Sequence, residues 1–187
     1  MTSTSRPAHT LAPTLLVSMP QLVDPNFART VVLLCEHNAD GAFGLVLNRP
    51  SETTAAAAVH LSPPPARDTG LQLWFGGPVE PQRGWILMDE EPAEADAVEV
   101  IEGLYLSTSP HVLRRLIETG PQRARVLTGY AGWGAGQLDA ELQASAWLTA
   151  DVDLDLIFDT PAETMWEVAI RRLGADPALL QMGHGVH

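Results

Sequence analysis

The sequence predicts one domain in which a mixed β-sheet is covered by three or four helices, of α/β or α+β class. Three observations lead to this prediction. The chain has 187 residues, which suits a single core. Apolar residues make up 45% and charged residues 18%, a balance typical of a packed interior. Short apolar runs dominate the first half, whereas strand and helix patterns alternate in the second half without a regular period.

The strands are predicted from short apolar runs bounded by Pro, Gly, Asp or Asn. These runs lie at residues 14–18, 30–35, 45–47, 71–75 and 84–88, and β character resumes over 98–107 and 123–130. Ser51 is of a residue type that caps helices, and it predicts a short Ala-rich helix that runs to about His60.

Three helices have clearer boundaries. Ser109 and Pro110 predict the start of the first helix, and Gly120 predicts its end. The second helix is predicted from about Gln137 to Ala146. The third begins at a capping box formed by Thr160 and Glu163, with Pro161 at the first helical position. Its buried face, at the 3.6-residue period, is predicted to consist of Ala162, Met165, Trp166, Ala169, Ile170 and Leu173.

No linker rich in Gly, Ser or Pro divides the chain. We therefore predict a flexible leader at 1–13, one domain at 14–175 and a C-terminal tail at 176–187. The leader lacks the basic and long apolar segments of a secretory signal, and no run approaches the roughly 20 apolar residues of a membrane helix. Cys35 is the single cysteine, which fits a reducing compartment. We expect a cytoplasmic protein without a membrane partner.

Acidic residues are concentrated in the second half of the chain. The net charge is −12, and seventeen of the 23 acidic residues lie between 89 and 187. All eleven Lys and Arg residues are Arg. Because affinity for phosphate backbones comes largely from Lys and Arg, we expect no direct binding of nucleic acid. One local Arg cluster has the charge to hold a small anion, and it comprises Arg114, Arg115, Arg123 and Arg125.

A glycine-rich stretch follows the predicted strand at 123–130 and precedes a helix, which is where a phosphate-binding loop lies. Gln137 stands where a dinucleotide-binding motif needs Gly, and the chain has no Lys for a P-loop. Two interpretations stay open: a tight turn around Trp133, or an anion nest of backbone N–H groups. The nest would comprise Gly132, Trp133, Gly134 and Gly136.

Three Asp residues alternate with apolar residues between Asp151 and Asp155. The pattern resembles the start of a calcium-binding loop, but it lacks the required Gly at Leu156 and the required Glu at Ala162. Alternation instead predicts a half-buried strand with a solvated acidic face. We expect no metal at these residues.

Glu36, His37 and Asn38 end an apolar strand directly before a glycine turn. On a regular strand Cys35 and His37 share a face, so they are either a core thiol beside a bonded imidazole or a nucleophile and its base. The other His residues show no metal-ligand spacing, and the chain contains no GxSxG, HExxH or CxxC motif. We therefore expect no metal and no cofactor.

A series of unusual motifs spans residues 15 to 175. It includes Leu15-Leu16-Val17-Ser18-Met19-Pro20, Cys35-Glu36-His37-Asn38, Asn48-Arg49-Pro50, Gly76-Gly77-Pro78-Val79, Gly129-Tyr130-Ala131, Gly136-Gln137-Leu138 and Ala146-Trp147-Leu148. In this order the motifs resemble the YqgE/AlgH family of bacterial proteins. The resemblance implies a compact α+β fold with a mixed, barrel-like sheet and helices packed outside it. It implies no assigned reaction, and the label that recurs in the family is transcriptional regulator.

The chain departs from the family pattern at two positions. Met88 follows Leu87 where the family usually has His, and Asp139 stands where Glu is usual. If that histidine matters chemically, this chain lacks the site.

Two functions of different classes stay open. The one we favour is a non-enzymatic binding or regulatory module that recognises a protein or a small molecule. Its candidate surface comprises Glu36, His37, Asn38, Asn48, Arg49, Gly77 and Pro78. We expect Arg49 to reach back to Glu36, because both triplets flank the turn around Gly41 and Gly44. The alternative is an enzyme that uses Cys35, His37 or Glu36.

Overall fold

Ten strands organise the chain in a computed structural model that describes residues 11–93, 97–120 and 123–182. The strands are β1 (Thr14–Ser18), β2 (Val31–Asn38), β3 (Gly41–Val46), β4 (Pro50–Thr54), β5 (Gln72–Phe75), β6 (Val79–Met88), β7 (Ala97–Ile101), β8 (Leu104–Ser107), β9 (Ala124–Gly134) and β10 (Trp147–Ala150). The helices are α1 (Ala55–Ala58), α2 (Pro110–Thr119), α3 (Gln137–Gln143), α4 (Leu154–Asp159), α5 (Ala162–Arg172) and α6 (Pro177–Met182).

The sheet runs in the order β10-β1-β2-β3-β9-β6-β8-β7, and neighbouring strands along this path are antiparallel. β5 lies parallel to β9, with Leu73–Phe75 beside Val126–Thr128, and also pairs with β4. β9 joins the two halves, because its first part pairs with β5 and β6 and its last part pairs with β3. The sheet curls into a half-barrel. The predicted single α+β domain with a mixed sheet is confirmed.

Apolar side chains fill both faces of the sheet, which explains why the strands read as continuous apolar runs. Alternate residues divide them between clusters that we name by the helix each one contacts. The α5 cluster includes Leu15, Leu33, Leu45, Met165 and Ile170. The α3 cluster includes Leu16, Val32, Leu34, Trp133 and Leu138. The α2 cluster includes Ile86, Val112, Leu116, Ile117 and Val126.

The predicted α2 and α5 helices are present. Met165, Trp166, Ala169 and Ile170 are buried on the predicted face of α5, whereas Leu173, predicted to be buried, is exposed at the C-cap. Ser109 Oγ accepts a hydrogen bond from the backbone N–H of Val112, and Gly120 ends α2 at φ +93°. The capping box predicted for α5 is wrong. Pro161 occupies the N-cap position, and the Thr160 hydroxyl donates to the carbonyl of Asp155 in α4 instead.

Two local predictions are wrong: one segment predicted as helix is a strand, and one segment predicted as strand begins a helix. Residues 50–54 pair with β5 as β4, so α1 begins later than predicted and Thr54, not Ser51, caps it. The alternating segment from Asp151 to Asp155 is not a strand. Asp153 caps α4, because its side chain accepts hydrogen bonds from the backbone N–H groups of Asp155 and Leu156. Asp is a preferred residue at the N-cap position.

Parts of the two predicted terminal segments are described. Residues 1–10 of the predicted leader and 183–187 of the predicted tail lie outside the described residues. α6 falls within the segment predicted as a tail, and Leu180 packs against the α5 cluster. Within the described ranges, no helix is long and apolar enough to cross a membrane.

Candidate functional site

The seven candidate residues do not form one cluster, because they lie at opposite ends of the β2–β3 hairpin or beyond it. His37 pairs with Ala42 beside the turn, whereas Val32 pairs with Val46 at the other end, next to Asn48. At 3.3 Å per residue these ends are about 20 Å apart. The predicted pair of Glu36 and Arg49 is therefore wrong. The hairpin turns at residues 39–40, and Gly41 and Gly44, predicted to form the turn, belong to β3, which carries the two triplets apart.

His37 is enclosed at the turn end of the hairpin. Its side chain is 6% exposed, and Nε2 lies 3.1 Å from the Asp139 carboxylate on α3. Nδ1 accepts a hydrogen bond from the backbone N–H of Leu11 at 3.2 Å. Both ring nitrogens thus have partners in the folded chain. The arrangement anchors α3 and residue 11 to the sheet and leaves no free ring nitrogen to act as a base.

Cys35 and His37 lie on opposite faces of β2. They are therefore not placed to act as a nucleophile and its base, which was the alternative prediction. A β-bulge between Leu34 and Glu36 shifts the register and reverses the alternation. Cys35 packs against the α5 cluster, whereas Ala42, the cross-strand partner of His37, packs against the α3 cluster. Burial raises the pKa of the Cys35 thiol to about 12, and the Glu36 carboxylate adds to this shift. The thiol is therefore protonated at neutral pH.

Asn48 is a structural bridge at the opposite end of the hairpin. Its side-chain oxygen accepts from the backbone N–H of Val31 at 3.1 Å, and its amide donates to the carbonyl of Arg29 at 2.9 Å. The residue is 9% exposed. Asn48 holds the β1–β2 connection against the end of β3, and it has little surface to offer a partner.

Arg49, Gly77 and Pro78 do come together, in a surface recess of about 280 Å³ that we call the Arg49 recess. Pro25, Asn26, Val46 and Phe75 complete its lining. One guanidinium nitrogen of Arg49, Nη2, donates to the carbonyl of Ala28 at 2.6 Å. The Phe75 side chain is 53% exposed, which is unusual for an aromatic residue at a strand end. Phe75 was not among the predicted site residues, although this residue directly precedes the Gly76-Gly77-Pro78 turn.

The backbone around the Arg49 recess is tightly fixed. Phe75 N–H donates to the Arg49 carbonyl at 2.8 Å, while Gly76 accepts from Val46 and donates to Thr128, both at 2.7 Å. Gly77 has φ +152°, and a Cβ there would collide with the carbonyl group of Tyr130. Only glycine lets the chain cross β9 this closely. The recess therefore has a rigid frame that presents Phe75 and Arg49.

The glycine-rich stretch is neither a tight turn nor an anion nest. Residues 132–134 continue β9 and pair with β3, so most of their backbone groups are used in the sheet. The Gly134 N–H, at the strand end, is occupied by the Gln137 side chain at 3.0 Å. Trp133 is buried in the α3 cluster against Phe27 and Trp147. Gly136 supplies the left-handed residue before α3, without a side-chain cap.

The predicted Arg cluster is dispersed by individual contacts. Arg123 pairs with three carboxylates, those of Asp89, Asp155 and Asp159. Arg125 is buried over the Trp74 ring, 3.7 Å from its centroid, and donates to the carbonyl of Ile157 at 2.7 Å. Burial lowers the pKa of Arg125 to about 10, which still leaves it charged at neutral pH.

Metal-ligand geometry is not found in the described part of the chain. No group of three or more His, Cys, Asp or Glu side chains there is placed to hold a metal ion.

A larger groove, of about 730 Å³, was not anticipated from the sequence. It lies between the segment that follows α1, the first turn of α2 and one face of β6 and β9. Its residues come from five separate parts of the chain, so no local pattern marks it.

Together these features define a single-domain α+β protein whose surface recess combines a rigid loop backbone with an Arg and an exposed aromatic ring. The AlgH-like family model matches residues 15–178, and the chain belongs to this family. It is 44% identical over 176 residues to a UPF0301 protein of Pseudomonas fluorescens, with 90% of this chain and 93% of that protein covered. A UPF0301 protein of Xanthomonas campestris is 42% identical over 170 residues, covering 89% of this chain and 90% of that protein.

Two solved structures share the fold. The solution structure of the AlgH protein from Pseudomonas aeruginosa superposes with a TM-score of 0.76 at 40% identity, over 96% of each chain. A crystal structure from Corynebacterium diphtheriae gives a TM-score of 0.72 at 22% identity, over 94% of each chain, which shows the shared fold.

The departure at Met88 lies in the core. Met88 is 2% exposed in the α2 cluster, and it pairs across the sheet with Ala124 and Tyr105. A histidine at this position would be buried beneath α2.

Proposed function

We propose that this protein is a non-enzymatic binding module that recognises a protein partner through the Arg49 recess. The observation that carries the proposal is the placement of the exposed Phe75 ring beside Arg49 in one recess. Aromatic and Arg side chains supply much of the binding energy in protein interfaces. Phe75 would bury its ring against the partner, and Arg49 would donate to a carboxylate or carbonyl there.

The fixed frame of the recess supports this role. Gly77 lies against the Tyr130 carbonyl group, Phe75 is hydrogen bonded to Arg49, and Gly76 is hydrogen bonded to both Val46 and Thr128. A preorganised surface loses little conformational freedom on binding, so more of the contact energy becomes affinity.

The enzymatic alternative has less support. It requires Cys35, His37 or Glu36, yet the bulge separates the first two and His37 is occupied by Asp139 and Leu11. A thiol whose pKa is raised to about 12 is a poor nucleophile at neutral pH.

Any regulatory effect of the protein would pass through its protein partner rather than through DNA. The net charge of −12 and the absence of Lys oppose the counterion release that drives most nonspecific DNA binding. A gel-shift experiment with random duplex DNA at near-physiological salt tests this. A salt-dependent shift at micromolar protein would contradict it.

The proposed function is tested by affinity capture from native lysate with mass spectrometry. The bait variants are Phe75→Ser and Arg49→Ala, with Val98→Ser and Arg171→Ala as controls. Val98 is 69% exposed on β7, outside the recess, and Arg171 is an exposed residue of α5. We expect one partner to be lost from both recess variants and kept by both controls. Equal capture by all four variants would place the binding surface elsewhere.

A further inference from the structure

The groove beside α2 has more than twice the volume of the Arg49 recess, and we call it the α2 groove. Its volume of about 730 Å³ lies within the range of small-molecule sites. Leu73, Ile86 and Val126 form part of its lining, and all three are buried apolar residues of the α2 cluster. It shares no lining residue with the Arg49 recess.

Gly84, which has no side chain, leaves space at the base of the α2 groove. Gly84 pairs with Thr128 and Ile86 pairs with Val126, and all four residues line the groove. Gly84 lies on the same face as Ile86, two residues along β6. A Cβ at Gly84 would meet no atom within 4 Å. A larger side chain at position 84 would therefore extend into open space in the groove.

The charge of the α2 groove is opposite to that of the protein. No Asp or Glu of the described residues lines it, whereas His60, His111 and Arg114 do. Arg114 is held at the rim by donating to the carbonyls of Pro63 and Pro64, at 2.7 and 3.3 Å, which fixes the guanidinium without neutralising it. The first turn of α2 also lines the groove, so the positive end of the helix dipole adds to the potential.

We propose that the α2 groove binds an amphipathic anion with an alkyl body and one carboxylate or phosphate head group. The alkyl body lies over Ile86 and Val126, in the space left by Gly84. The head group lies at the α2 end, near Arg114 and His111, where Thr108 offers a hydroxyl group. This site is independent of the proposed protein-binding recess, and either can fail without the other.

The test is titration of the folded, isotope-labelled protein with octanoate, octyl phosphate and octanol, followed by NMR. We expect octanoate or octyl phosphate to shift the resonances of Thr128 and Val126, and octanol to bind at least fivefold more weakly. Which of the two anions binds more tightly identifies the head group. Equal binding of octanol, or shifts confined to the Arg49 recess, would overturn the proposal.

Variants separate the groove from general surface binding. Gly84→Phe fills the groove and should weaken binding of the tighter of the two anions at least tenfold, while Val98→Phe adds the same ring elsewhere and should have no effect. His111→Ala and Arg114→Gln should each weaken binding severalfold, against Arg171→Gln as a control. Unchanged affinity in Gly84→Phe would overturn the proposal. So would binding to phosphatidylglycerol vesicles without binding to either octanoate or octyl phosphate, because the target would then be a membrane surface.

Discussion

The two ends of the β2–β3 hairpin carry similar polar triplets but use them differently. At the turn end, both ring nitrogens of His37 are occupied within the chain. At the other end, Asn48 is satisfied internally, while its neighbour Arg49 makes one hydrogen bond through Nη2 and borders a recess. This difference shows that a polar motif stabilises the fold when all its hydrogen bonds are made within the chain. A polar motif can bind a partner when some of its donors remain at the surface.

The largest effect should come from the frame of the Arg49 recess. Gly77→Ala places a Cβ against the Tyr130 carbonyl and keeps a backbone conformation that L residues rarely adopt. We expect a loss of at least about 3 kcal/mol, or a melting temperature lower by roughly 10 °C, because main chain must move on both sides. Urea and thermal unfolding measure this effect.

The matched control is Gly84→Ala, where a Cβ meets nothing within 4 Å. Its stability should change by less than about 1 kcal/mol. Equal losses in both variants would show that the crossing over β9 is not the constraint at Gly77.

Asn48→Ala should have the second largest effect. It removes both hydrogen bonds of a buried bridge and leaves the N–H of Val31 and the carbonyl of Arg29 without their partner. We expect a loss of about 2 to 4 kcal/mol in urea unfolding, since an unsatisfied buried N–H costs about 1 to 3 kcal/mol and the partly buried carbonyl of Arg29 costs about 1 kcal/mol. A loss below about 1 kcal/mol would mean that water replaces the amide and that this end of the hairpin is more open than described.

Arg49→Ala should separate binding from stability. The side chain is partly exposed and its described hydrogen bond is to one carbonyl, so the loss should be about 1 kcal/mol and the melting temperature should fall by only a few degrees. Capture of the native partner should be abolished. If Arg49→Ala unfolds the protein while its folded fraction still binds, Arg49 is a structural residue like Asn48.

Much of the fold could be predicted because its signals are local. Ser109, Pro110 and Gly120 mark α2 by capping chemistry alone, and the apolar runs mark β1 to β3. Asp153 shows where local signals are ambiguous. Its alternating neighbours fit a strand, but as an N-cap it begins α4, and the contacts of Arg125 with Ile157 and of Arg172 with Asp153 support that helix.

The candidate site was predicted only in part because it depends on register. The position of the hairpin turn decides that Glu36 and Arg49 separate, and one bulge decides that Cys35 and His37 face opposite sides. Neither is fixed by residue type. Likewise, Gly76, Gly77 and Gly129 are needed where two distant segments cross, so the glycines were visible but their partners were not. In the sequence Phe75 is one apolar residue of a predicted strand, and only the folded structure shows that its ring is exposed.

The smallest effect at neutral pH should come from Cys35, at the turn end of the hairpin. Burial raises the pKa of its thiol in the folded chain from 9.0 to about 12. Below pH 9 the thiol is protonated in both the folded and unfolded states, so its contribution to stability is constant. Between pH 9 and 12 only the unfolded state loses the proton, and the free energy of unfolding should fall by about 1.4 kcal/mol per pH unit. Urea unfolding of the wild type and Cys35→Ala across this range isolates the effect, because other titrating groups are common to both.

The same shift predicts that alkylation of Cys35 at pH 8 is about a thousandfold slower in the folded chain than in urea, since the thiolate is the reactive form. Parallel pH profiles for the two proteins, or rapid labelling without urea, would show that the thiol is open to solvent and that the turn end of the hairpin is less closed than its contacts with His37 indicate.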